Sequence, residues 1–351
     1  MKLISSLVFT LLLSVICHGH PGGHYGKDPF RQIDEVLPDP NEVRAANGAP
    51  GAEYWQQRAD YKIRVVLDDE NQRIRGSETI TYTNNAPLDL TYLWVQLDQN
   101  RFEQEALGHQ AMEAPDFESV GFRTLRNELA REDFKGGYQI EYVRDEKEEP
   151  LAYSIVDTMM RVQLPVASGK TVSFSIGWQH NIVDAKAIRA RGGYEYFKED
   201  DNYIYTIAQW YPRVAAFTDV NGWQNKQFLG RGEFALEFGD YEVSLTVPSD
   251  HIVAATGTLE NAGEVLSEVQ RERLRRAEGS DEPSFIVTPE EARENEKNKK
   301  AGTKTWVFRA ENVRDFAWAS SRKFIWDAAH VQVGEKKERV WAMSFFPNEG
   351  E

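Results

Sequence analysis

Gln209, Tyr211 and Arg213 alternate along the run Gln209-Trp210-Tyr211-Pro212-Arg213. A glutamine amide accepts from an ammonium group and donates to a carbonyl. A guanidinium pairs with a carboxylate. Such a set suits recognition of a peptide end and has nothing that would cleave a bond. The same residues also admit a plainer reading, with Arg213 in a salt bridge and the rings in a core. Gly222 and Trp223 follow, then a strand pattern from Glu233 to Val247. A polar, aromatic and cationic cluster between two strands is good material for a binding surface.

Other chemistry is thinly represented. The seven histidines include no H-E-x-x-H pair, so no zinc helix is expected. His20 and His24 have the right spacing, but Pro21-Gly22-Gly23 cannot be a helix interior. Cleavage after Cys17 would make His20 a third residue able to chelate copper or nickel; solvated leader residues are the alternative. No Gly-x-Ser-x-Gly elbow occurs. Gly230-Arg231-Gly232 lacks the rest of a dinucleotide pattern and reads as a turn. Glu233 and Glu237 fall on one face of the strand pattern, about 13 Å apart at a strand's rise. That exceeds the roughly 5–9.5 Å of glycosidase pairs, so both are expected on a wet face or against a neighbouring domain.

The chain has 351 residues and a formal charge of −15, which argues against nucleic acid as a partner. Residues 1–19, with Lys2 and the apolar run Leu3–Ile16, read as a secretory signal, too short for a membrane span. Export to the periplasm or beyond the cell is expected. A lipid on Cys17 is the alternative, with Ile16 poorly suited before it. Cys17 is the single cysteine, so no disulfide framework and no thiolate zinc site is expected.

The elements that would carry these residues are strands. Residues 20–53 read as a flexible leader rich in Gly, Pro and His. From Tyr61 the apolar period is two: Tyr61, Ile63, Val65 and Leu67, a turn at Asp68–Asn71, a return through Ile74, Ile80 and Tyr82, and a third strand over Thr91–Leu97. Met160–Leu164 and Val172–Trp178 around Ala167–Lys170 read as a hairpin. Residues 261–302 form a helical insertion. There, Thr288-Pro289-Glu290-Glu291 is a capping box, and the helix it starts is charged all round and expected to be solvated. The fold class is mostly β: a multi-stranded antiparallel β-sandwich with a helical insertion and no βαβ alternation.

The run Q-W-Y-P-R, followed by G-W, L-G-R-G-E-F and E-F-G-D-Y, resembles the aminopeptidase N family of zinc metallopeptidases, most closely its exported bacterial branch. Ala310-Glu311-Asn312-Val313-Arg314-Asp315-Phe316-Ala317-Trp318-Ala319 adds a separate match, and the resemblance covers roughly residues 50–345. It implies a saddle-like N-terminal β domain over residues 54–345, packed on a thermolysin-like catalytic domain. It implies that Gln209 helps to bind the substrate's free α-amino group, with Tyr211 and Arg213 beside it in the same substrate-binding segment. Neither G-x-M-E-N nor H-E-x-x-H occurs, and residues 346–351 correspond to the start of the catalytic domain. This chain is therefore expected to be inactive alone and to hold no cofactor. Zinc is expected in the catalytic domain of the same polypeptide, and that domain and peptide N-termini are the expected partners. The rival reading is a carbohydrate- or protein-binding β-sandwich whose nine tryptophans and fourteen tyrosines stack on sugars. An exposed apolar patch is expected near Val340–Phe346.

Overall fold

A computed structural model describes residues 40–111, 119–230, 235–336 and 338–350. The expected signal, Cys17, His18, His20, His24, Arg231, Gly232 and Glu233 lie outside the described residues. The chain divides into two compact units. In the smaller, Arg44 grips the Asp219 carboxylate through Nε (2.6 Å) and Nη2 (2.9 Å). Its guanidinium also lies 5.0 Å from the centre of the Tyr54 ring.

The larger unit, Trp55–Thr218 with Trp223–Glu351, is built on a seven-stranded sheet. Its spatial order is Thr258–Leu259 (β15), Thr303–Val313 (β17), Gly239–Pro248 (β13), Arg58–Asp68 (β1), Arg73–Thr83 (β2), Thr171–Asn181 (β7) and Gln139–Asp145 (β4). Burial along β1 and β2 alternates, as the period of two requires. Asp68 Oδ1 accepts from Asn71 N (3.1 Å) in the turn between them. The pairs in this sheet are antiparallel except β1–β13, which run parallel with Tyr61 opposite Tyr241.

β13 starts later than the sequence suggests. Leu236 and Phe238 make only isolated bridges, and the strand begins at Gly239. A Cβ there would collide with the Ala59 carbonyl, so glycine is what lets β13 close on β1.

Three sheets of three or four strands stand beside it, along with a two-stranded one. One is Arg213–Val214 (β10), Leu93–Gln96 (β3), Met159–Val162 (β6) and Tyr153–Val156 (β5). The second is Ile252–Ala255 (β14), Trp318–Ser321 (β18), Asn202–Ile207 (β9) and Gly193–Phe197 (β8). The third is Ser284–Val287 (β16), Ile325–Val333 (β19) and Glu338–Phe346 (β20). The short strands Phe217–Thr218 (β11) and Gly222–Trp223 (β12) lie between β10 and β13 in sequence.

Two expected pairings do not form. β3 does not join β1 and β2 as a third meander strand; it pairs with β6 and β10. The expected β6–β7 hairpin is also absent. Its turn exists, with Lys170 N bonded to Ala167 O (3.1 Å), but Asn84 at the end of β2 holds that turn. β7 therefore registers on β2, Thr171 opposite Thr83. Before the turn Pro165 has no N–H to give a ladder, and Val166 bridges to Leu90. The alternation marks which face is buried and leaves the partner open.

The core is aromatic. Trp178, Trp210, Trp306, Tyr82, Tyr205, Tyr211 and Phe174 are fully buried, and burying one such side chain contributes on the order of 3 kcal/mol. Residues 261–302 are helical over Ala262–Val265, Glu268–Glu278 and Pro289–Lys297. The capping box at Thr288 and Glu291 forms, and a second forms at Ser267 and Gln270. The segment is less solvated than its charge suggests. Ala277 and Ala292 are completely buried, and β16 within it pairs with β19. On β20 Val340 and Met343 are exposed, while Trp341 packs against His330.

Candidate functional site

The run Gln209–Arg213 links β9 to β10. Trp210 is its anchor: fully buried, it donates through Nε1 to Phe316 O (2.8 Å) and packs on Trp178, Phe316 and Trp318. Tyr211 is equally buried. Its hydroxyl donates to Asp315 Oδ1 (2.8 Å) and lies 3.1 Å from the Tyr241 hydroxyl.

Arg213 sits inside the unit, 1% exposed. Nη2 donates to Asp98 Oδ2 (2.5 Å) and Nη1 to Asp315 Oδ2 (2.7 Å). Burial works against its charge, but the carboxylates of Asp98 and Asp315 outweigh it and hold the guanidinium above its ordinary range. For Asp98 burial wins: its carboxyl is raised, with Arg213 opposing the shift. The guanidinium and the phenol thus face inward, toward protein carboxylates.

Gln209 differs. It adopts φ +55°, the left-handed region that a side-chain-bearing residue seldom enters. Its backbone is held from two sides. Gln99 Nε2 donates to Gln209 O (2.8 Å), and His180 Nε2 lies 3.1 Å from Trp210 O. Burial lowers the His180 pKa, against the pull of the Asn181 and Trp210 carbonyls. The Gln209 side chain is 7% exposed, and its Nε2 is buried with no hydrogen-bond partner among the described residues. A buried, unbonded amide costs free energy and calls for an explanation. Unlike Tyr211 and Arg213, its side chain makes no bond to Asp98 or Asp315.

The structure joins two stretches that the sequence keeps apart. Asp315, Phe316 and Trp318, from the stretch Ala310–Ala319, supply the partners of Arg213, Tyr211 and Trp210. Asp98, Gln99 and His180 complete the surroundings, and nothing in their spacing marks them. The one available signal is the polar run Asp98-Gln99-Asn100 directly after an apolar strand, all three of which are buried.

The carboxylate pair changes character. Glu237 is buried, not on a wet face: its Oε1 accepts from Phe217 N (2.9 Å), and burial pushes its pKa up to about 7. Among the described residues no three His, Cys, Asp or Glu side chains come together as metal ligands. Of the nine tryptophans five are buried and four partly exposed, and Tyr153 and Tyr196 are exposed. Among the described residues no helix is long and apolar enough to cross a membrane.

No family model and no curated protein matches the chain. Its structural neighbours are M1 zinc metallopeptidases. A mutant of the Deinococcus radiodurans enzyme superposes with TM-score 0.42 at 11% identity, over 84% of this chain and 47% of that one. The D. radiodurans enzyme itself gives 0.41 at 11% identity, over 82% and 46%. A two-domain M1 zinc metallopeptidase mutant bound to L-tryptophan gives 0.41 at 10% identity, over 84% and 49%. The chain spans about half the length of these structures. At this level of likeness residue roles do not transfer from them.

Proposed function

We propose that this chain is the non-catalytic N-terminal part of an exported zinc aminopeptidase, forming one wall of the substrate site. In this reading Gln209 meets the α-amino group of a peptide. Tyr211 and Arg213 hold the Gln209 segment from beneath through Asp315 and Asp98. The metal, the general base and the cleavage chemistry belong to a catalytic domain of the same polypeptide. The supporting observation is the nearly buried Gln209 side chain on a backbone fixed in the left-handed region, with Nε2 unpartnered among the described residues and able to donate to a peptide carbonyl. An amide oxygen accepts from an ammonium group without itself carrying charge.

The purified chain, supplied with zinc and aminoacyl fluorogenic substrates, is expected to give no turnover. Robust, chelator-sensitive turnover would sink the reading. In a polypeptide that includes the catalytic domain, Gln209→Ala is expected to raise KM about tenfold, the worth of one hydrogen bond to a charged group. An unchanged KM would remove Gln209 from the site.

A further inference from the structure

The outer face of the seven-stranded sheet carries a groove of about 570 Å³. It runs from Thr305 on β17 across β13, β1 and β2 to Glu141 and Tyr142 on β4. Six adjacent strands span roughly 24 Å at their usual spacing. A wet sheet face ordinarily fills with long side chains of alternating charge, and the surroundings here follow that pattern. Lys62 pairs with Glu242 (2.8 Å), Arg58 with Asp240 (2.8 Å) and Arg75 with Glu141 (2.9 Å).

The paired Arg75 and Glu141 also line the groove, with exposed Val66 between the rows, and the pattern breaks at Arg64. Arg64 is exposed, and its neighbours in register are Ser77 on β2 and Ser244 on β13. Among the described residues no carboxylate stands within ion-pair distance of it. In a chain of net charge −15 an arginine set between two serines is a local exception. Beyond Ser244 the floor continues as hydroxyls, with Thr246 Oγ1 and Thr305 Oγ1 2.8 Å apart. Tyr142 forms the far wall. It lies opposite Gly177, where a Cβ would run into its ring, so glycine there lets the ring settle onto the sheet.

We propose that this groove binds a short oligosaccharide carrying carboxylates, with Arg64 pairing with one carboxylate and the serine and threonine hydroxyls meeting the sugar hydroxyls. Charge complementarity selects an anion. The hydroxyl floor selects a polyol, because hydroxyls both donate and accept. A peptide added as a strand is disfavoured, since β1 already pairs on both edges with β13 and β2. The ligand is held by its charge and its hydroxyls, without the stacking that a tryptophan platform would supply.

Calorimetric titration of the chain with a galacturonate tetramer tests this. Saturable binding is expected, weakening with added salt. Arg64→Ala is expected to weaken it about tenfold, the loss of one charge-assisted pair. Because Arg64 is exposed, the variant should fold, which circular dichroism checks. Lys62→Ala, one row away and already paired with Glu242, should leave binding unchanged. A neutral cellotetraose and a glutamate tetramer should both bind at least about tenfold more weakly. The proposal is overturned by no saturable binding of the galacturonate, by binding that Arg64→Ala leaves intact, or by a glutamate tetramer that binds equally well.

Discussion

Arg213 and Arg64 lie in the same folded unit and meet opposite fates. Arg213 is shut between Asp98 and Asp315, with every neighbour that could matter to its charge supplied by the protein. Arg64 stands in the open between two serines. A buried charge is committed to the fold, because leaving it unpaired is costly. An exposed one costs the fold little and stays available to a ligand. The Q-W-Y-P-R segment stands out in the sequence for its arginine, yet that arginine serves the fold. The available groups are a glutamine amide at one place and an inconspicuous arginine at another.

The contrast breaks most visibly at Arg213. Arg213→Met should strand the buried Asp98 carboxylate and release the partly exposed Asp315 one, destabilising the chain by about 3–5 kcal/mol. Chemical denaturation reads this, and a loss below roughly 1 kcal/mol would mean that the ion pairs are dispensable.

Glu78 gives the next largest effect, and it carries a sign. It sits on β2 beside Ser77 but on the inner face, fully buried, with neither carboxyl oxygen bonded in the described structure. Burial raises its pKa well above the ordinary value. The folded chain therefore holds this proton to higher pH than the unfolded chain does. Its contribution to stability is intact below the unfolded pKa and is lost as pH rises toward the folded one. Glu78→Gln should flatten that decline and, near neutral pH, stabilise the protein by about 1–3 kcal/mol. Urea midpoints measured across pH 4 to 8 check it, and an unchanged slope would show that Glu78 has a partner.

Arg64→Ala should do least. Its expected effect on stability is within about 0.5 kcal/mol, so any large loss of stability would mark Arg64 as structural after all.

Much of the strand content was legible in advance. The β1–β2 hairpin follows from alternating apolar residues around an Asp- and Asn-rich turn, and the Thr288 capping box follows from its four residues. These are local features, and local sequence specifies them. The partners of β3, β6 and β7 were not legible, because a period of two shows which face is buried and not which sheet covers it. The wet face or neighbouring domain expected around Glu237 fails for the same reason: alternation assigns it a face, and packing within the same unit buries that face. Gln209 was singled out for its chemistry, while its unusual backbone and unbonded amide become visible only in three dimensions. Gln99 and His180, which hold that backbone, lie 110 and 30 residues from their partners, and no local pattern announces them.

The bond between Arg213 and Asp315 spans 102 residues, and this has a consequence for how the protein is made. At about 5–20 residues per second, a ribosome that has added Arg213 needs roughly 5 to 20 seconds more to add Asp315. During that interval the Q-W-Y-P-R segment has Asp98 but lacks the Asp315 carboxylate that binds Arg213 and Tyr211, and the Phe316 carbonyl for Trp210. The nascent chain can pair β1 with β2 early, but this segment has to wait for the stretch that completes it. The region that looks most like a ready-made site is therefore among the last to take shape.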